Sequence, residues 1–425
     1  MIAVICICSA LLLVLGVPIA IILGIVTTIC LVFFTGTPLH IITQQLFNAL
    51  DKFVLLAIPF FILAGSIMTR GGIAKRLIAF VNALVGWFPG GLAMAGIVGC
   101  IFFAAISGSS PATVVAIGSI MIPALIESGY GKKFSIGIIT VSGSLGIVIP
   151  PSIPMILYCL VMNVSVAKMF MAGILPGLMI GIALMGYTFM TAKKNNWKTS
   201  TRFSTAQLIR TAREGIWALA LPFIVLGGIY TGIFTPTEAA AVSVVYALFV
   251  EIFIHREFTI KDITSICRSS AILSACLLFI LSCAMTFIWL LTAEQIPQQL
   301  ADIIIQHIHS PWMFLLSVNI LFLVLGCFMD DVSAMLILAP LFLETLNRYG
   351  INLVHFGIVM VLNIQLGMLT PPFGLNLFVA SGITDEPLVN IARGILPFLG
   401  VMLACLMIVT YVPWISLVLP DLFLN

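Results

Sequence analysis

The sequence predicts an all-α integral membrane protein of two inverted five-span repeats, each with one re-entrant hairpin and one Pro-Pro-broken helix. Three observations predict it. Only 8% of the 425 residues are charged, against 62% hydrophobic, whereas a soluble domain carries about 25% charged residues; lipid rather than water must cover this surface. Two long apolar runs, 91–129 and 311–347, are each interrupted near the middle by a polar tip. Two motifs recur at one offset of 221 residues: Gly146-Ile-Val-Ile-Pro-Pro151 matches Gly367-Met-Leu-Thr-Pro-Pro372, and Ala172-Gly-Ile-Leu-Pro176 matches Arg393-Gly-Ile-Leu-Pro397.

Composition bounds the rest. At roughly 20 apolar residues per span, the chain has room for about ten to fourteen. A net charge of +3 gives no reason to expect nucleic acid as a partner. The ten cysteines lie in or beside apolar stretches with no CxxC pair, so they read as small buried hydrophobes rather than a disulfide or zinc framework.

Taken in order, the elements support two inverted halves. The N-terminal run, 2–34, has no basic leader region and reads as retained membrane segment. It amounts to about 50 Å of helix, and parity favours two short spans turning near Gly16-Val17-Pro18. The first hairpin, 91–129, breaks at Ser107-Gly-Ser-Ser-Pro111 into two pieces of about 15 residues, which barely cross a bilayer. The helix at 134–163 breaks at Pro150-Pro151. Six of the eighteen basic residues fall within 193–213 (Lys193, Lys194, Lys198, Arg202, Arg210 and Arg213), which places the linker 192–214 in the cytoplasm. It divides a first repeat, 1–191, from a second, 215–425. Lys75/Arg76 and Lys132/Lys133 flank the first hairpin, so it opens to the cytoplasm. Residues 294–312 carry Glu294 and Asp302 but no Lys or Arg and read as exterior, so the second hairpin, broken at Gly326-Cys-Phe-Met-Asp-Asp331, opens outside. The helix at 354–383 breaks at Pro371-Pro372. Both termini are then periplasmic. Segments 40–52, 73–86 and 295–309 read as helices lying along the interface.

The four interruptions carry the chemistry. Proline removes a backbone hydrogen bond and clashes with the preceding turn, and free carbonyls at membrane depth must be satisfied by protein, water or an ion. In secondary transporters, paired broken helices in inverted repeats mark the site, and their carbonyls coordinate sodium. One sodium site would join Ser107, Gly108 and Ser110 to Gly146, Ile149 and Pro151. A second would join Gly326, Cys327 and Asp330 to Gly367, Thr370 and Pro371. The plainer alternative is that the prolines are kinks and the glycines allow close packing; two matched pairs in opposite halves favour ion sites. Asp330 and Asp331 are the acids placed within an apolar region, at a cost of about 2.5–3.5 kcal/mol each on the insertion scale. Asp330 is read as near the second cation and Asp331 as a substrate contact, against the alternative that the pair caps the following helix. Ser109, Thr113, Ser144, Asn363 and Asn376, with Ser142, offer further polar contacts to a substrate. No Lys or Arg neighbours the tips in sequence, so half-helix N-termini are expected to receive an anion.

Other polar residues read as structural. Glu238 in Thr235-Pro-Thr-Glu suits a capped helix start, and His307 and His309 suit a solvated exterior face. All five histidines read as lying outside the apolar cores, which leaves Ser107–Ser110 without a base and argues against a serine protease. Adjacent acids on one helix point apart, against an aspartyl protease. Two unlike tips do not make the ring of like ligands a channel filter uses.

The combination of Pro59-Phe-Phe-Ile-Leu-Ala-Gly65 with Gly71-Gly72, Ser107-Gly-Ser-Ser-Pro-Ala-Thr113, Gly146 with Pro150-Pro151, and Thr370-Pro-Pro-Phe-Gly374 resembles the large membrane subunit of the tripartite ATP-independent periplasmic (TRAP) transporters, along essentially the whole chain. Its nearest likeness is to the sialic-acid branch. The resemblance implies an elevator-type transport domain of hairpins and broken helices sliding against a scaffold, sodium as the coupling ion at the positions named above, and a bacterial inner-membrane location. It implies two protein partners, a small four-helix membrane subunit and a soluble periplasmic binding protein that delivers an organic acid. The small subunit is not fused at the N-terminus here and is expected as a separate polypeptide. The competing expectation is a stand-alone sodium/C4-dicarboxylate symporter that needs no binding protein.

Overall fold

The structure is a computed structural model describing residues 1–35, 37–197, 203–327, 329–371 and 374–424. Lys198 and Arg202 of the linker, Phe328 of the second tip, and Pro372 of the second proline pair lie outside the described residues. Every regular element among the described residues is helical.

The N-terminal run folds as α1 (Ile2–Val14) and α2 (Ile19–Phe34), turning at Gly16, whose φ of +73° suits a residue without a Cβ. Next, α3 (His40–Leu50) leads through a 3-10 turn at Phe53–Leu56 into α4 (Ala57–Arg70), and α5 (Ile73–Val85) starts two residues later. The first amides of α5 are satisfied from far away. Gly72 N–H and Ile73 N–H donate to the fully buried Glu251 carboxylate at 3.2 and 3.1 Å. Unpaired N–H groups and the helix dipole both favour an acid there. A Cβ on Gly71 would lie 2.1 Å from Glu251 Oε1, so the glycine clears the path for the carboxylate.

Helices α6 (Gly91–Ser107) and α7 (Ser110–Glu127) form the first hairpin. Then α8 (Lys132–Gly143) tightens into a 3-10 turn at Ser144–Ile147 and ends ahead of Pro150-Pro151; α9 (Ile153–Met162) resumes, N-capped by the Ser152 hydroxyl. The long α10 (Val166–Lys194) reaches the linker, followed by α11 (Thr205–Tyr230) and α12 (Pro236–Phe249), which continues as a π-helical turn, Val250–His255. Thr235 and Glu238 cap α12 reciprocally, so Glu238 is structural. After α13 (Ile260–Ala293), α14 (Ile296–His307) meets α15 (Pro311–Gly326) at 118°. The second hairpin is α15 with α16 (Asp331–Tyr349); the second broken helix is α17 (Leu353–Gly367) with α18 (Leu375–Thr384); α19 (Leu388–Tyr411) and α20 (Trp414–Phe423) complete the chain.

Among the described residues, seven helices are individually long and apolar enough to cross a membrane, or eight if the bent α14–α15 pair is one span. The chain is thus a multi-pass membrane protein. Its hairpin and broken-helix pieces include α6, α9, α17 and α18, which are shorter because glycine, serine or proline interrupts them where the sequence places the breaks.

The arms leading into the breaks form the centre. Ser135 to Gly143 of α8 and Val354 to Gly367 of α17 are buried without exception, as befits helices apolar on all sides. α7 packs on α8 and α18, while α16 packs on α17 and α9. Each hairpin thereby grips its own broken helix and the short helix beyond the other break. A second layer is built on α4, which packs against α12 and α13, with α2 and α3 against α13.

Two histidines depart from the sequence reading. His355 is 2% exposed, with its Nδ1 at 2.8 Å from the Ser416 hydroxyl and Nε2 at 3.3 Å from the Thr410 carbonyl. The His255 side chain is 5% exposed beside Glu251. His355 gains its partners from a segment some 60 residues on, whereas the partner of His255 is the buried Glu251 one helical turn earlier.

Candidate functional site

Each tip is seated on its own break through backbone contacts. Gly108 has φ +62°, its carbonyl accepts from Ile153 N–H at 3.3 Å, and a Cβ there would lie 2.8 Å from the Pro151 carbonyl oxygen. A Cβ on Gly146 would come within 2.5 Å of Ser109 O and 2.7 Å of Thr113 Oγ1. Thr113 donates to Ser109 O at 2.9 Å and shares a hydrogen bond of 3.0 Å with Ser107 Oγ. The first tip and the Gly146–Pro151 break therefore form one oxygen-rich, side-chain-poor cluster, with Ile149 buried within it. Ser110 Oγ is reached from the other half, by Asn376 Nδ2 at 2.6 Å.

At the second tip, Gly326 and Gly367 lie back to back: a Cβ on Gly367 would fall 2.5 Å from Gly326 Cα. Asp330 caps α16, accepting from Ser333 N–H at 3.1 Å. The Thr370 hydroxyl donates to Leu366 O at 2.8 Å, and the Cys327 thiol turns back to Leu323 O at 3.1 Å, leaving the backbone to face the break. Pro371 is exposed.

Both tips line one cavity of about 550 Å³. Ser107, Gly108, Ser109, Asp330 and Asp331 of the tips line it together with Ser66, Thr69 and Arg70 of α4 and Ser269 of α13. Of the six residues expected to meet substrate, Ser109 and Asp331 line this cavity. The other four are engaged inside the protein: Thr113 and Asn376 as above, Ser144 with Gln365 Nε2 at 2.8 Å, and Asn363 with Asn319 Oδ1 at 2.7 Å. The amide oxygens of Asn363, Gln365 and Asn376 are buried without a hydrogen-bond partner among the described residues.

No Lys or Arg adjoins the tips in sequence, but the fold brings one to the cavity they line. Arg70 lines the cavity and donates to Ser265 Oγ at 3.0 Å. It belongs to α4, remote from both tips in sequence, so only the packing of α4 and α13 against them brings it in.

A multi-span helical protein whose two re-entrant tips and two broken helices converge on one cavity has the build of a secondary transporter. The family described as "Tripartite ATP-independent periplasmic transporter, DctM component" matches residues 6–415. The chain belongs to that family, whose members are transporter large permeases. It is 46% identical over 421 residues to the C4-dicarboxylate TRAP transporter large permease of Rhodobacter capsulatus, covering 96% of each chain. It is 35% identical over 410 residues to the sialic acid TRAP transporter large permease of Vibrio cholerae, again covering 96% of each. A crystal structure of the Alcanivorax borkumensis YdaH transporter shares the fold, with a TM-score of 0.64 at 13% identity over 96% of this chain and 98% of that one.

Proposed function

We propose that this chain is the translocating subunit of a tripartite carrier that uses a sodium gradient to bring an organic anion across the bacterial inner membrane. The observation that carries the reading is the seating of each tip on its own break, with both tips facing one cavity. Sodium takes oxygen ligands, and unwound carbonyls supply them in transporters of this design. One ion would be held by Ser107, Gly108 and Ser110 with Gly146, Ile149 and Pro151. The other would be held by Gly326, Cys327 and Asp330 with Gly367, Thr370 and Pro371. The close approach at Gly146 and Gly367, where a Cβ would clash with Ser109 O and Gly326 Cα, keeps tip main chain against break main chain and supports this reading. Ser109 and Asp331, together with the α7 and α16 N-termini, would meet the substrate.

A C4-dicarboxylate is the first substrate to test, because the relative named for it is 46% identical, against 35% for the one named for sialic acid. Residues 1–191 and 215–425 act as inverted repeats about the linker. Their interlocked hairpins and broken helices move as one body against the α4–α12–α13 layer, an elevator stroke. A small four-helix permease packs beside that layer, and a periplasmic binding protein delivers the anion.

The test is uptake of labelled succinate and labelled sialic acid into liposomes holding the chain and its small permease, under an inward sodium gradient, with and without the binding protein. Uptake needing both sodium and the binding protein is the expected result. Uptake without the binding protein identifies a stand-alone symporter, and uptake indifferent to sodium removes the ion-coupling reading.

A further inference from the structure

We propose that Arg70 is a substrate-carboxylate anchor on the scaffold wall of the cavity and sets a preference for doubly charged substrates. This rests on the functional reading above and names the side chain that would recognise the second carboxylate. The tips bring two carboxylates, Asp330 and Asp331, into the cavity. A dianion entering that space meets like charge from the moving side. Among the described residues, Arg70 is the basic side chain that lines the same cavity, and it belongs to α4 rather than to a tip.

Its surroundings leave the guanidinium available. Arg76, Arg210 and Arg348 are each paired with a carboxylate, whereas Arg70 makes no ion pair among the described residues. Glu257 pairs with Arg76, and Asp262, which caps α13 through Thr259, feels the Arg70 charge without forming an ion pair with it. Among the described residues it makes one hydrogen bond, to Ser265 Oγ, which ties it to α13 and uses one of five N–H donors. The planar fork that remains matches a carboxylate in a way a lysine ammonium does not. Ser66, Thr69 and Ser269 add further polar groups to the same lining. Because Arg70 sits on α4 rather than on a hairpin, it stays in place while the tips move, and it meets substrate at one end of the stroke. The basic residues following α4 put that end at the cytoplasm.

The experiment is binding of labelled succinate, a dianion at neutral pH, and of its monomethyl ester to the purified chain with its small permease, in saturating sodium. Arg70→Gln is expected to raise the half-saturation concentration for succinate about tenfold, equivalent to ~1.4 kcal/mol, and to change that for the ester less than about threefold. Arg70→Lys keeps the charge and is expected to recover part of the succinate affinity. Ser265→Ala keeps the arginine and is expected to bind both ligands as the unsubstituted protein does. Unchanged succinate binding by Arg70→Gln, or equal loss for both ligands, overturns the proposal. So does the same loss in Ser265→Ala, which would make Arg70 a brace between α4 and α13. The series is repeated in neutral lipid and with added phosphatidylglycerol; an Arg70 effect confined to anionic lipid assigns the side chain to headgroups instead. Failure of the unsubstituted protein to bind any tested organic anion would strike the functional reading itself, a result distinct from these.

Discussion

Asp330 combines two roles that can be separated. Its side chain caps α16 by accepting from Ser333 N–H, and its carboxylate also lines the cavity. Asparagine caps a helix about as well as aspartate, so Asp330→Asn removes charge while keeping the cap. The variant is expected to melt with the unsubstituted protein and to lose sodium-driven uptake about tenfold, or ~1.4 kcal/mol. Full uptake at every sodium concentration would reduce Asp330 to a capping residue. Its neighbour Asp331 opens α16 and lines the same cavity, which is why the two acids adjoin at a tip otherwise made of small and apolar residues.

At the scale of elements, the Gly71-Gly72 pair explains how α4 turns into α5. The pair exists so that the Glu251 carboxylate can reach the first amides of α5. Gly71→Ala places a methyl group where that carboxylate lies and leaves buried donors unpaired, a loss of about 1–3 kcal/mol. Glu251→Gln keeps an acceptor and loses the charge favoured at a helix N-terminus. Thermal midpoints of the purified protein should fall in the order unsubstituted, Glu251→Gln, Gly71→Ala; a Gly71→Ala protein as stable as the parent would refute the capping account. The same elements show what sequence can and cannot disclose. The breaks at Ser107–Pro111, Pro150-Pro151 and Gly326–Asp331 were legible because glycine and proline act on their own backbone. The partner of Gly72 lies 179 residues away, and nothing local announces it. Arg70 escaped for the same reason, and so did the distant partners of Ser144, Asn363 and Asn376: a polar residue in an apolar run signals that it needs a partner, not whether that partner is substrate or protein.

Across the whole molecule, the two broken helices are joined where they cross. Gln365 Nε2 donates to Ser144 Oγ, both fully buried and 221 residues apart, the same offset that relates the repeated motifs. The Asn376–Ser110 bond makes a second tie, from the segment after the second break to the first tip. Under the inverted-repeat reading, these bonds connect the two ion sites through a few buried polar groups. Gln365→Leu is therefore expected to leave uptake measurable while flattening its dependence on sodium concentration, with the Hill coefficient falling toward one. A slope as steep as the parent's would show that the sites communicate by another route. The proposed ion sites would be made largely of main chain, and main-chain carbonyls are common to every amino acid. Directed evolution toward a new cargo would find little to vary at Gly146, Gly326 or Gly367, where any Cβ would clash with neighbouring main chain. A library for altered substrate choice belongs instead at Ser66, Thr69, Arg70 and Ser269, which line the cavity from outside the tips and breaks.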